Sequence, residues 1–210
     1  MDDAIALPPR VQRTRRRIVE AAQASFLSAG YEQTSMDKVA AAAGVSKQTV
    51  YAHFGAKEAL FMAMTDAMIG AAVAAQKAAV PEPGPETAVA DWLLSHARSQ
   101  LGTATNRPLM QLRRIAIAEA ERFPQVGAAV YEAGPARAIA RLARIFAAWH
   151  AAGRLRAPDA GRAAATFNWL IMGGPTSEAM LLGETVVKND REAAAHADEC
   201  VRVFLAAYGA

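Results

Sequence analysis

Apolar residues recur along this chain at helical rather than strand spacing. Ile18, Ala22 and Phe26 fall at i, i+4 and i+8. That single stripe predicts a first helix over Arg13–Ala29, stopped at Gly30-Tyr31. A tighter pattern follows. A small residue at Ala40, a glycine four positions on at Gly44 and a branched residue at Val50 form the spacing of a helix-turn-helix. Ala40 lets two helices close on each other, Gly44 supplies a turn that needs positive φ, and Val50 faces inward to lock the pair. Ser46 caps the second helix, whose first turn holds Lys47, Gln48 and Thr49.

The helical rhythm continues to the end of the chain. A long helix is expected from Ala56 to about Ala79, ended by the linker Pro81-Glu82-Pro83-Gly84-Pro85. Helices over Glu86–Leu101 and Pro108–Arg122 follow. Another, Gln125–Gly153, should kink or split at Gly134-Pro135, because Pro135 cannot donate to the carbonyl of Tyr131. Then come Asp159–Gly173, a shorter piece around Thr176–Leu182, and a last helix Asp190–Tyr208 with Asn189 and Glu192 as its capping pair. No segment reads as a strand. The fold expected is all-α, with a DNA-binding domain over 10–58 and a second helical domain over 59–210. The last helix carries Ala197, Val201, Phe204, Leu205 and Tyr208 on an apolar face wider than one core needs, which suggests that it also meets a partner subunit.

Composition narrows the class. Of 210 residues, 53% are hydrophobic and 20% charged, which describes a chain that buries a core rather than a disordered one. Met1–Pro9 holds two acids and no apolar run, so it is no signal peptide. The longest uncharged stretch, Ala163–Ser177, is too short and too broken by Gly173-Gly174-Pro175 to span a bilayer. A lone cysteine, Cys200, excludes an internal disulfide and fits a reducing compartment, so a cytoplasmic location is expected. Charge is uneven. Arg10, Arg13, Arg15, Arg16, Arg17, Lys38, Lys47 and Lys57 face only Glu20, Glu32 and Asp37, a local net of +5 in a chain of net +3. The basicity thus lies in the module that should meet DNA. Arg13–Arg17 stand at the start of the first helix, where an arm could reach the backbone or the minor groove.

Helix N-termini suit phosphate, because their amides are free and the dipole is positive there. Thr34, Ser35 and Ser46 lie at such ends, and Thr34-x-x-Asp37 also fits a capping box. Lys47, Gln48 and Thr49 are the base-reading candidates: Lys can pair with guanine, Gln with adenine, and Thr can offer its methyl to thymine. The run from Arg13 to Ala63, above all Thr49-Val50-Tyr51-Ala52-His53-Phe54 and Lys57-Glu58-Ala59-Leu60-Phe61, resembles the DNA-binding domain of the TetR family of bacterial regulators. Ala56 departs from it, standing where the family usually has a small polar residue. The resemblance implies that Tyr51, His53 and Lys57 contact phosphates, and that the last two long helices of each protomer form a four-helix dimer interface. Trp169 joins the last-helix residues as an interface candidate. Arg113–Pro124 with Tyr131–Arg137 resembles the subgroup with an AefR-like C-terminal domain.

The second domain is also expected to sense a ligand. Met64, Met68, Trp92, Met110, Phe146, Trp149 and Phe167 form an aromatic and methionine supply suited to an adaptable pocket, with His96 and His150 as polar contacts. Taken singly, each is more often ordinary core. Enzyme chemistry finds no foothold: there is no Gly-x-Ser-x-Gly, no phosphate-cradling loop and no paired cysteine and histidine motif. Neither a metal nor a cofactor is expected. The function expected is a homodimeric, effector-responsive regulator, a repressor by family habit, bound to a near-palindromic double-stranded operator. A helical enzyme or carrier with an appended DNA-binding domain is the alternative.

Overall fold

The computed structural model describes residues 8–182 and 190–210. The expected Asn189–Glu192 capping pair lies outside the described residues, since Asn189 is not among them. Ten α-helices run through these residues: α1 Pro9–Gln33, α2 Met36–Ala43, α3 Lys47–Phe54, α4 Lys57–Ala79, α5 Val89–Ala104, α6 Arg107–Glu119, α7 Pro124–Tyr131, α8 Arg137–Ala151, α9 Ala160–Leu182 and α10 Asp190–Tyr208. Among the described residues there is no strand, only an isolated bridge between Leu155 and Gly209. The all-α expectation holds.

The helices group into two compact units. One holds the chain up to Met68 together with Ile115–Val130; the other holds Ile69–Arg114 with Tyr131–Ala210. In the first unit Ile18, Ala22 and Phe26 are fully buried along one face of α1, as the stripe requires. The helix does not end at Ala29, however. Gly30 takes φ 80 and ψ 176, and one more helical turn follows to Gln33. Only glycine adopts that backbone without strain, so the stop signal acts as a sharp kink rather than a terminus. The kink turns Tyr31 into the core, where its ring packs on Phe26 (5.7 Å), Phe61 (5.3 Å) and Phe123 (5.0 Å).

The second unit is built on a core of Trp92, Leu93, Leu142, Phe146, Trp149, Phe167, Ile171 and Phe204, drawn from α5, α8, α9 and α10. Of two expected interruptions, one is present and one is not. At Gly134-Pro135 the expected element is divided into α7 and α8 by one π turn, Glu132–Ala136, which takes up the proline. At Pro175, α9 continues as one helix where two were expected. Proline removes the N–H that would have bonded the Ile171 carbonyl. His196 Nε2 takes that carbonyl instead at 2.8 Å, and since a carbonyl only accepts, Nε2 carries the proton. Thr176 and Ser177 hydroxyls also donate to the next two carbonyls, Met172 O (2.5 Å) and Gly173 O (2.7 Å).

Candidate nucleic-acid interface

The turn between α2 and α3 is set by local backbone chemistry. Gly44 sits in the left-handed region, φ 62 and ψ 41. Its N–H bonds Ala41 O (3.1 Å) and that of Val45 bonds Ala40 O (3.0 Å), which closes α2 with a Schellman motif. A Cβ on Gly44 would also lie 3.0 Å from the Arg17 guanidinium, a tight approach that this flexible side chain would have to yield to, so the left-handed φ is what fixes glycine here. Ser46 Oγ accepts from Thr49 N at 3.1 Å and caps α3. Val50 is fully buried and Ala40 nearly so, which seats α3 against α2.

This seating leaves one face of α3 in solvent. Lys47, Gln48, Tyr51 and Ala52 are exposed, Tyr51 at 43%, while Thr49 and His53 are half-buried. Lys47 Nζ pairs with Asp37 at 2.9 Å and hovers 5.9 Å from the Tyr51 ring centroid. The hydrogen bond to Asp37 and its charge hold the Lys47 pKa above the usual lysine value. Thr49 Oγ1 lies 2.8 Å from Ser46 Oγ, so both hydroxyls are partly engaged within the helix start. Ser35, not Thr34, caps α2, accepting from Lys38 N at 3.3 Å. The Thr34–Asp37 capping box is therefore not formed. Thr34 is buried and its hydroxyl donates back to Gly30 O (2.8 Å) and Ser25 O (3.2 Å).

Half of the eight local basic side chains brace the motif. Arg17 donates to Ala43 O at the end of α2 (2.7 Å), and Arg15 to His53 O at the end of α3 (3.3 Å) while lying 4.4 Å over the Phe54 ring. Lys38 Nζ donates to Gln33 O at the end of α1 (3.0 Å). Lys57 Nζ reaches Tyr31 O (3.0 Å), Thr34 O (3.2 Å) and Glu32 O (3.4 Å), and sits 4.4 Å from the Tyr31 ring centroid. Each cation thus meets the negative end of a helix dipole and the carbonyls left unpaired there. Sequence reading missed these braces, which join residues 5 to 38 positions apart. The arginine cluster is not a free arm either: α1 starts at Pro9, so Arg13–Arg17 are helical, and Arg16 pairs with Glu20 at 3.4 Å. Arg13 remains exposed on α1.

Residues 18–64 match the bacterial regulatory proteins of the tetR family, and residues 91–210 match the AefR-like transcriptional repressor C-terminal domain. A protein of Mesorhizobium loti MAFF303099 described as a TetR-family transcriptional regulator shares 34% identity over 97% of this chain and all of its own, with TM-score 0.86. The chain belongs to the TetR family. The flavonoid-responsive regulator FrrA is 33% identical over 94% of this chain and 98% of its own, TM-score 0.80. A TetR-family regulator of Pseudomonas syringae pv. tomato DC3000 is 27% identical over 93% and 96%, TM-score 0.64. Comparison with proteins of curated function gave no match. As a TetR-family regulator the protein is a ligand-responsive, DNA-binding transcriptional regulator with an N-terminal helix-turn-helix.

The residues expected to serve this regulator's other duties are partly redistributed. Trp92, Phe146, Trp149 and Phe167 lie together in the core of the second unit, and Met110 is buried in the same unit. Met64 and Met68 are buried in the first unit. His96 is 2% exposed, between the rings of Trp92 (4.9 Å) and Phe167 (6.3 Å). Burial first, and the nearby Arg141 charge second, push its pKa down to about 4, so it is neutral at pH 7. His150 does not join it: exposed at the end of α8, it donates through Nδ1 to Leu155 O at 3.1 Å. On α10, Ala197, Val201 and Phe204 are buried in the protomer's own core, where α5, α8 and α9 cover them, so they cannot form the outer face. Leu205 and Tyr208 are half-buried. The exposed apolar side chains of these two helices are Trp169 (46%) on α9 and Val203 (41%) on α10, with Leu181 and Leu182 near the end of α9.

Proposed function

We propose that this TetR-family regulator is a homodimeric repressor that leaves its operator when a small aromatic effector binds. The carrying observation is the face of α3. A glycine-set turn and a serine cap hold Lys47, Gln48 and Tyr51 outward on a helix braced by Arg15, while Arg17 and Lys57 fix the ends of α2 and α1 beside it. A helix of this kind enters the major groove N-terminus first. Lys47, Gln48 and Thr49 read bases; Tyr51, His53, Ser35, Ser46 and Arg13 hold the backbone. Thr34 and Lys57 act from behind, by fixing the end of α1.

Dimerisation uses the outer faces of α9 and α10, with Trp169 and Val203 as central residues. The exposure of both large apolar side chains in one protomer supports this. Two-fold symmetry makes the operator a near-palindrome. One relative, FrrA, is flavonoid-responsive, and its 33% identity supports an aromatic effector here. We assign DNA binding to residues 10–58 and effector binding to the helical region 59–210, of which residues 59–68 and 115–130 group with the first compact unit. Coupling follows α4, one uninterrupted helix from Lys57 to Ala79. That helix has the length and mean hydropathy of a membrane span, yet it carries Glu58, Asp66 and Lys77, and we assign the protein to the cytoplasm with its operator. It binds its effector without turning it over.

Fluorescence anisotropy with DNA from upstream of the protein's own gene tests the reading. Tight binding that survives competitor DNA, and is lost in Gly44→Ala, supports it. Equal affinity for operator and random duplex removes sequence-specific regulation. Turnover of a bound aromatic compound would favour the enzyme alternative.

A further inference from the structure

The core of the second unit contains a polar cluster that its own residues do not satisfy. His96 and Gln100 lie one turn apart on α5 and are both buried. Gln100 Nε2 donates to Asn168 Oδ1 at 2.8 Å; Gln100 Oε1 and the His96 ring are near enough to interact, yet neither Oε1 nor either ring nitrogen makes a well-formed hydrogen bond. Buried polar atoms without partners are costly, and a leucine would fill much the same space without that penalty. Their surroundings are aromatic: Trp92 stacks on His96 at 4.9 Å and Phe167 lies at 6.3 Å. Arg141, also buried, stands 5.9 Å from the Trp92 ring centroid and is held there by Glu82 at 3.2 Å. A neutral imidazole offers one donor and one acceptor, and Gln100 Oε1 a second acceptor. One hydroxyl can serve both residues, since it accepts and donates at once.

We propose that His96 and Gln100 are the hydrogen-bonding end of the effector site, and that the ligand they take is a hydroxylated aromatic, neutral or weakly acidic. Its hydroxyl accepts from the His96 N–H and donates to Gln100 Oε1, and its ring joins Trp92 and Phe167. The nearby Arg141 guanidinium disfavours a cationic ligand and favours one whose hydroxyl is acidic. The inference rests on the aromatic-effector reading above and adds to it the group that is recognised. A site built to bond a hydroxyl rejects the analogue lacking it, because the protein's polar atoms are then left buried and unpaired.

Calorimetry with the full-length protein and a matched pair of probes tests this. Naringenin carries three hydroxyls on the ring skeleton of unsubstituted flavanone. Naringenin should bind at least about tenfold more tightly than flavanone. His96→Leu and Gln100→Met should each erase that difference while leaving flavanone affinity within about twofold. Without ligand, His96→Leu should melt no lower than the parent, because the replaced nitrogens make no well-formed hydrogen bond to lose. Equal affinity for the two probes, or a difference that survives both substitutions, overturns the hydroxyl recognition and leaves the aromatic-effector reading standing. If neither probe binds, both fall. A His96→Leu protein that is folded but clearly less stable would mean that ordered water satisfies His96, and the cluster is then structural.

Discussion

Lys57 is where sequence and structure assign different work to one side chain, and the two assignments can be separated by measurement. Its ammonium is half-buried and donates to three carbonyls at the end of α1, Tyr31, Glu32 and Thr34, over the face of the Tyr31 ring. Replacing it with methionine keeps the aliphatic stem and leaves those carbonyls to water. Hydrogen bonds to a charged group contribute about 1.5–3 kcal/mol. Because one ammonium is shared among three acceptors and partly solvated, the expected loss is about 2 kcal/mol, a melting shift of roughly 4–8 °C for a chain of this size. DNA affinity should fall for all sequences alike, because the loosened α1 end no longer holds the motif. The salt dependence should not change. A phosphate contact would instead reduce the slope of log K against log salt by about 0.9. Anisotropy titrations between 50 and 200 mM salt, beside thermal melts, give both numbers. Unchanged stability with a slope lowered by about one would refute the bracing role and restore the phosphate contact.

Three further outcomes follow from named contacts. Asp37→Asn removes the acid that holds Lys47; binding to operator and to random duplex should both tighten, read by the same titrations. Val203→Glu should dissociate the dimer by analytical ultracentrifugation while the protomer stays folded by circular dichroism, since a carboxylate buried without a partner costs about 3–5 kcal/mol. The same change at the buried Phe204 should unfold the chain instead. His96, with its folded pKa near 4 against a usual 6.5, binds a proton more readily unfolded than folded between those values. The parent therefore loses stability as pH falls from 6.5 toward 4, about 3 kcal/mol in all, so urea midpoints measured across that window should drop less in His96→Leu than in the parent.

Local chemistry was legible in the sequence; long-range compensation was not. The α2–α3 turn was readable because Ala40, Gly44, Ser46 and Val50 act within a few residues of one another. Gly30 was readable as a break, but not as a kink, because one further turn depends on Tyr31 finding Phe26, Phe61 and Phe123. The Gly173-Gly174-Pro175 stretch was read as a break because glycine and proline act locally, whereas His196, which bonds the carbonyl that Pro175 leaves, is 25 residues from it. The basic residues were correctly grouped but assigned to DNA as a set. Their carbonyl partners at helix ends emerge only once α1, α2 and α3 have packed. On α10 the breadth of the apolar face was visible. Which strip turns inward is decided by α5 and α9, and this places Val201 and Phe204 in the core and Val203 outside.

Selection of bound DNA from a random pool, carried out in parallel with the parent protein and with Gln48→Ala, tests the central claim most directly. The account predicts a near-palindromic site whose half-site centres lie about 34–36 Å or a multiple of one helical turn apart. It also predicts that Gln48→Ala relaxes preference at one position in each half-site, by about 1–3 kcal/mol per lost contact, and leaves the others unchanged. Selected sequences without symmetry, or a Gln48→Ala protein that selects the parent's site unaltered while Tyr51→Ala changes it, would contradict the assignment of base reading to the start of α3.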